Sequence, residues 1–190
     1  SNGSPGLYIK VTSYGSGRKP QINQSDLVTG TWTNVSGNVW SISGISVTIG
    51  SDELWFGKND TTYWGYKRSG TGSLTQDYDW YQDGTTLYVY APSNPSTYYQ
   101  WVQYAMRGSS ISKQYIWLDN LDFAYGGRSA GQDYNLRTNN AHYMKITNCD
   151  FRYSGADNIY FLSSYALFQN CNIYESAILE IHLIAYSPYM

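Results

Sequence analysis

Three short stretches of the sequence carry residue types that do acid–base chemistry, at a spacing close to 22 residues. They are "DYNLR" (133–137), "DNIYF" (157–161) and "LEIHL" (179–183), and each resembles a short strand with alternating sides. Aligning them puts their outward positions into two columns, which are Asn135, Asn158 and Glu180 in the first and Arg137, Tyr160 and His182 in the second. The spacing therefore predicts a polar surface on which a cation and proton-transfer groups lie side by side.

The second column contains the groups that β-elimination of a uronide requires. That reaction needs a cation to neutralise the substrate carboxylate and a base to remove the C5 proton. Arg137 is the candidate cation, His182 or Tyr160 is the candidate base, and Glu180 is a further candidate catalytic residue. The alternative is that all four are solvated side chains on the exposed face of a sheet.

Glycoside hydrolysis would instead need two carboxylates roughly 5–10 Å apart. Asp133, Asp157 and Glu180 are the candidates on this surface, and Asp133 and Asp157 flank neighbouring strands about one strand spacing, ~4.8 Å, apart or somewhat more. The same aspartate pair could hold Ca²⁺, which takes several oxygen ligands. Turn residues without any site are the third interpretation, and neither reaction requires a cofactor.

A repeated element lies between these stretches and must position them. "YIWLDNLDF" (115–123), "YMKITNCDF" (143–151) and "YALFQNCNI" (165–173) share the form apolar-x-apolar-x-Asn-apolar-x-apolar. Inward-facing side chains alternate along each repeat, and at the shared Asn this alternation shifts by one residue. A flat strand does not permit such a shift. A bend does permit it, because Asn tolerates unusual backbone angles and stacked side-chain amides can form hydrogen bonds with one another. The repeat indicates pairs of short strands, joined at Asn120, Asn148 and Asn170.

The two cysteines fall at one position of the repeat. Cys149 and Cys171 directly follow Asn148 and Asn170, so they would occupy one inward column, ~4.8 Å apart. Parallel stacked side chains leave the Cβ atoms farther apart than the ~3.8 Å of a disulfide. We therefore expect two buried free thiols that pack as small apolar groups.

The outward neighbours of the repeat include stacked carboxylates. Asp122 and Asp150 occupy the same place in consecutive repeats. Two such groups repel each other unless water screens them or a cation lies between them. Solvation is the favoured expectation.

These residues resemble the right-handed parallel β-helix, or pectate-lyase-like, superfamily, in which an asparagine ladder marks one bend of each coil. "LYIKVTSYGSGRKPQI" (7–22) and "DWYQDGTTLYVYAPSNP" (79–95) resemble the opening segments of β-helix carbohydrate-active proteins. The resemblance covers about half of the chain. It implies an all-β fold, a right-handed single-stranded parallel β-helix, with substrate on the strands that precede the Asn bends. It also implies an N-terminal or truncated portion of a longer protein, because such proteins stack many coils.

A single β-helix domain is expected over residues 1–190, with residues 1–25 as a first coil, 26–108 as an inserted β-hairpin region and 109–190 as about three stacked coils. The inserted region contains six of the seven tryptophans and the Asp83-Gly84 hairpin signal. Its aromatic rings either form a platform for sugars or pack as a small core. In the first interpretation Trp55, Trp64 and Trp80 bind substrate. Asn135 and Asn158, in the first column described above, are further candidate substrate-binding residues.

Composition limits the partners. A net charge of −2 and a pI near 5.5 give no basic surface for nucleic acid, and no apolar run approaches the ~20 residues of a membrane span. A polysaccharide or oligosaccharide is the expected partner, with self-association through uncapped β-helix ends as a second. A secreted or extracellular location is favoured.

The sequence predicts a carbohydrate-active β-helix protein of the polysaccharide lyase or glycoside hydrolase type. The alternative is a non-catalytic β-helix that binds glycans or builds a stalk, such as a phage tailspike or adhesin fragment. A β-sandwich carbohydrate-binding module would fit the aromatic content, but it does not explain the Asn-centred repeat.

Overall fold

The computed structural model of the protein describes residues 2–127 and 134–183. This part of the chain is mainly β-strand, with one short helix, α1 (Pro95–Tyr98), and one 3-10 turn at Thr71–Ser73. Neither helix is long and apolar enough to cross a membrane. In chain order the strands are β1 (Ile9–Thr12), β2 (Gln21–Asn23), β3 (Ser25–Leu27), β4 (Thr33–Ser36), β5 (Val39–Ser43), β6 (Leu54–Lys58), β7 (Thr61–Trp64), β8 (Tyr66–Lys67), β9 (Asp79–Asp83), β10 (Thr86–Tyr90), β11 (Trp101–Ala105), β12 (Ser109–Ile111), β13 (Ile116–Asp119), β14 (Asp122–Ala124), β15 (Tyr134–Asn139), β16 (Met144–Thr147), β17 (Asp150–Ser154), β18 (Asp157–Leu162), β19 (Ala166–Gln169), β20 (Asn172–Ser176) and β21 (Ile181–Leu183).

Three parallel four-stranded sheets form a β-helix. Their strand orders are β1-β13-β16-β19, β2-β14-β17-β20 and β12-β15-β18-β21. Consecutive strands of one coil, such as β15, β16 and β17, belong to different sheets, and each pairs with its counterpart one coil away. The predicted all-β parallel β-helix, with an excursion after its first coil, is therefore confirmed.

The apolar positions of the repeat face the interior of the coils. Leu118 and Ile146 are paired neighbours on β13 and β16, and both are buried. Phe123 and Phe151 stack with nearly parallel rings, 5.0 Å between centroids. Because fully burying such a side chain is worth about 1.5–3 kcal/mol, this column supplies much of the cohesion between coils.

The three repeat asparagines bend the chain between neighbouring sheets. Asn120, Asn148 and Asn170 have φ values of 56°, 54° and 53°, in the left-handed region. Asn170 Nδ2 donates to Asn148 Oδ1 at 3.3 Å, and Asn148 Nδ2 donates to Asp119 Oδ1 at 2.8 Å. Asn120 donates to the hydroxyl of Ser13 instead. Each bend therefore combines a left-handed backbone conformation with a hydrogen bond from the Asn side-chain amide to the preceding coil.

The tyrosines that open the repeat form a second column. Tyr115, Tyr143 and Tyr165 also have positive φ values, and their rings stack at 4.8 and 4.9 Å between centroids. Their faces contact one another, so only ring edges and the end of the stack meet solvent. The column marks the bend that precedes β13, β16 and β19.

Both cysteines are free, as predicted. Cys149 is buried, and burial raises the pKa of its thiol to about 11. Cys171 is only half-buried, and burial raises the pKa of its thiol as well. The expectation of two fully buried thiols therefore holds for Cys149 alone.

The region inserted between β2 and β12 is built from antiparallel pairs. One sheet has the order β4-β5-β10-β9-β8, the other β3-β11-β6-β7, and within the first β8 pairs with β9 in parallel. The hairpin predicted at Asp83-Gly84 joins β9 to β10, with Gly84 at φ 55°. The region has its own core, whose largest fully buried members are Trp80, Phe56, Leu54, Leu87 and Ile49.

Aromatic contacts attach this region to the coils. Trp55 packs edge-on against Tyr125, which stacks in turn on Tyr153. Trp64 Nε1 donates to Glu175 Oε2 at 3.1 Å. The insertion therefore packs against the C-terminal ends of β14, β17 and β20.

Candidate active site

Arg137, Tyr160 and His182 lie side by side on three neighbouring strands. Arg137 pairs in register with Tyr160 across β15 and β18, and Tyr160 pairs with His182 across β18 and β21. All three side chains are partly exposed, on the outer face of the sheet. The structure thus brings together the second column of candidate residues in the predicted register.

Asp157 holds the ring of His182. His182 Nδ1 lies 3.2 Å from Asp157 Oδ2, and the Asp157 side chain is only 10% exposed while that of His182 is 40% exposed. An ionised carboxylate only accepts hydrogen bonds, so Nδ1 carries the proton and donates it. In the neutral ring the second nitrogen, Nε2, then has the lone pair that can accept a proton.

The guanidinium of Arg137 lies beside a stacked pair of tyrosine rings, those of Tyr134 and Tyr160, whose centroids are 6.2 Å apart. Its central carbon is 5.6 Å from the ring centroid of Tyr134 and 5.5 Å from that of Tyr160. Tyr160 also meets His182 edge-to-face, 4.8 Å between centroids. Contacts of a cation with aromatic faces are worth about 0.5–1 kcal/mol at exposed sites, and they restrict the orientation of the side chain. Tyr134 was absent from the sequence-based candidates.

Two of the three candidates in the first column, Asn135 and Asn158, face the interior, so the prediction that they point outward is wrong, whereas Glu180 is exposed. Asn135 and Asn158 are fully buried, and Asn135 Nδ2 donates to Asn158 Oδ1 at 2.6 Å and to the carbonyl of Arg152 at 2.8 Å. Asn158 Nδ2 donates to Glu180 Oε2 at 2.7 Å. These amides satisfy backbone carbonyls where the chain enters the sheet, so a substrate cannot reach them. The Glu180 carboxylate is the last member of this column. It does not belong to the row of paired residues that contains Arg137.

The tryptophans proposed as a sugar platform are mostly core residues. Trp55 and Trp80 are 0% exposed, so the prediction that they bind substrate is wrong. Their rings fill the inserted region and its contact with the coils, as the small-core interpretation requires. Trp64 is half-buried, with its ring 5.5 Å from that of Trp55.

The carboxylate pair considered for hydrolysis or for Ca²⁺ lies only in part within the described residues. Asp133 lies outside the described residues, and Asp157 is engaged with His182. Within residues 2–127 and 134–183 no three or more His, Cys, Asp or Glu side chains form a group that could hold a metal ion. The arrangement that remains is a histidine held by a carboxylate, beside a tyrosine and an arginine.

The stacked carboxylates on the outer side of the repeat, Asp122 and Asp150, are paired with cations, so the expectation of simple solvation is wrong. Arg152 binds Asp122, and Lys19 binds Asp150. A third carboxylate, Asp119, pairs with Lys10 at 2.9 Å. The basic partners of Asp119 and Asp150 come from the first coil, far away in sequence, so the repeat pattern alone did not reveal them.

Comparisons with known proteins support the fold. No family model matches the sequence, and none of the curated proteins compared with it matches either. The chain is similar to a solved structure described as the complex structure of XylC with xylose, with a TM-score of 0.57 and 13% sequence identity. The alignment covers 93% of this chain and 46% of that one, so the chain spans about half the length of XylC. At this identity the likeness shows a shared β-helix-like fold.

Proposed function

We propose that the protein is a carbohydrate-active β-helix protein that cleaves an acidic polysaccharide by β-elimination, with the sugar lying across β15, β18 and β21. One observation carries the proposal: His182 is held by the buried Asp157 while Arg137 lies two strands away on the same face. The xylose bound to the structurally similar XylC adds support for a saccharide ligand.

The chemistry follows from the positions of the three side chains. Arg137 binds the uronate carboxylate and stabilises the negative charge that develops there when the neighbouring carbon is deprotonated. His182 Nε2 takes the C5 proton, and the C4–O bond then breaks with its electron pair leaving on oxygen. Asp157 stabilises the imidazolium that results, and Tyr160 positions both neighbours through its ring. The product carries a new C4–C5 double bond.

The test is a screen of uronate polysaccharides, which follows the ultraviolet absorbance of the unsaturated product. The wild-type protein should cleave at least one of them, and Arg137→Ala should lower the rate at least about 100-fold because the carboxylate is no longer neutralised. Arg107→Ala is the matched control, since Arg107 is exposed, pairs with Asp26 and does not belong to the row of Arg137, Tyr160 and His182. Full activity of Arg137→Ala would contradict the proposal.

A second candidate is saccharide binding without chemistry. The contacts of Arg137 with the stacked rings of Tyr134 and Tyr160 favour it, because they orient the cation and place two aromatic rings beside it. In that case affinity electrophoresis would show retention by an acidic polysaccharide, lost in Arg137→Ala, while no unsaturated product forms.

A further inference from the structure

A second polar cleft lies on a different face of the coils. It has a volume of about 430 Å³ and is lined by Arg18, Lys19, Gln21, Asp122, Asp150 and Arg152. The lining comes from β2, β14 and β17 and from the loop that precedes β2, so it shares no residue with the candidate active site. Its volume falls in the range of roughly 300–1,000 Å³ that small-ligand pockets occupy.

The first carboxylate of the cleft is already neutralised. Arg152 donates to Asp122 through two nitrogens, Nε to Oδ1 at 3.0 Å and Nη2 to Oδ2 at 2.6 Å. Gln21 Nε2 adds a third bond to Asp122 Oδ2 at 3.0 Å. The hydrogen bonds to Asp122 raise the pKa of the Arg152 guanidinium above its ordinary value. Asp122 thus has little capacity left to neutralise another cation.

The second carboxylate is neutralised in the same way. Lys19 Nζ lies 2.8 Å from Asp150 Oδ1, and Asn172 Nδ2 donates to the same oxygen at 2.8 Å. Both ion pairs are partly shielded from water, with the four side chains between 9% and 28% exposed. Asp122 and Asp150 are therefore balanced by Arg152 and Lys19 within the protein.

Arg18 is the cation that remains. It lines the cleft, and within the described residues no carboxylate lies within ion-pair distance of it and no hydrogen bond to its side chain is formed. Three cationic side chains against two carboxylates leave the cleft with a surplus of one positive charge. Arg152 uses only two of its three nitrogens on Asp122, so its Nη1 adds further donor capacity.

We propose that this cleft binds a small oxyanion: a sulfate, a phosphate or a carboxylate group. Arg18 supplies the unneutralised charge and a planar set of donors that matches two oxygens of such a group. Arg152 and Lys19, held in place by their aspartates, contribute donors without a large ordering cost. The residues and the test differ from those of the proposed function, so that either can fail alone.

Isothermal titration calorimetry at low ionic strength tests the site with three separate probes: sodium sulfate, sodium phosphate and sodium acetate. We expect saturable binding of at least one probe to the wild-type protein and at least tenfold weaker binding to Arg18→Ala. Arg107→Ala should bind as the wild type does. Because Arg18 has no partner in the described residues, Arg18→Ala should keep its circular dichroism spectrum and its unfolding midpoint.

The three probes distinguish the source of the oxyanion. Preference for sulfate or phosphate assigns the cleft to a tetrahedral ester group, and preference for acetate assigns it to a carboxylate. Absence of saturable binding with every probe, or equal binding by the wild-type protein and Arg18→Ala, would overturn the proposal.

Discussion

Asp157 decides what His182 can do, although the sequence offered Asp157 only as a metal ligand or as half of a hydrolytic pair. The carboxylate is nearly buried and lies 3.2 Å from His182 Nδ1, so Nε2 is the ring nitrogen that Asp157 does not contact. The sequence predicted the alignment of Arg137, Tyr160 and His182, because the spacing of the strands gives it directly. It did not predict this contact, which crosses from the start of one strand to the middle of the next.

Asp119 should make the stability of the fold depend on pH in the acid range. The hydrogen bond from Lys10, followed by those from Thr147 and Asn148, holds the pKa of Asp119 well below its ordinary value. A depressed folded-state pKa stabilises the protein above the unfolded value of about 3.9, and this contribution is lost as the pH falls below it. Urea unfolding between about pH 2 and pH 6 should therefore show a steeper loss for the wild type than for Asp119→Asn.

Asp83→Asn provides the control for this comparison, since Asp83 is exposed at the β9–β10 turn. Its curve should run parallel to that of the wild type. If the Asp119→Asn curve also runs parallel to the wild type, the ion pair with Lys10 does not carry the pH dependence.

The two thiols should react at different rates. Burial raises the pKa of Cys149 to about 11, so its thiolate is scarce near pH 8, whereas Cys171 is half-buried. A thiol reagent should label native Cys171 first, and Cys171→Ala should leave a protein that reacts slowly until urea unfolds it. Equally fast reaction of both cysteines in the native protein would contradict the burial of Cys149.

At the scale of elements, the Asn bends determine which side chains of the two adjoining strands face inward. The repeat predicted two strands joined by a change of phase, and the φ values near 55° at Asn120, Asn148 and Asn170 provide it. The prediction failed for Asn135 and Asn158, because strict alternation holds only within a flat strand. Each is the second residue of its strand, and its buried amide donates to a carbonyl, that of Arg152 for Asn135 and that of Tyr174 for Asn158.

Substitutions at Asn148 separate the backbone from the amide at a bend. Asn148→Ala should lower the free energy of unfolding by about 2–3 kcal/mol, since alanine resists the left-handed conformation and the bonds to Asp119 and Asn170 are lost. Asn148→Gly keeps the conformation accessible and should cost about 1 kcal/mol. Urea unfolding of the three proteins measures both values, and an equal loss for alanine and glycine would show that the bend does not depend on the left-handed backbone.

At the scale of the whole molecule, the aromatic residues form a second core beside that of the coils. The number of tryptophans could not distinguish a sugar platform from a core, because the same rings serve either purpose. The distinction depends on how the sheets pack against one another. Here Trp80 is buried inside the insertion, and Trp55 is buried between the insertion and Tyr125 of the coils. Similarity to XylC extends over nearly the whole chain, so the coils and the insertion together correspond to about half of that larger structure.

Chemical rescue of His182→Ala tests the proposed β-elimination most directly. The initial rate of unsaturated-product formation would be measured for the wild type and for His182→Ala, with and without added imidazole, on the uronate polysaccharide that the wild type cleaves best. Loss of the base should lower the rate by about 100- to 10,000-fold, and imidazole should restore part of it. An unchanged rate in His182→Ala, or no product from any uronate polysaccharide with the wild type, would contradict the role of this face as an active site.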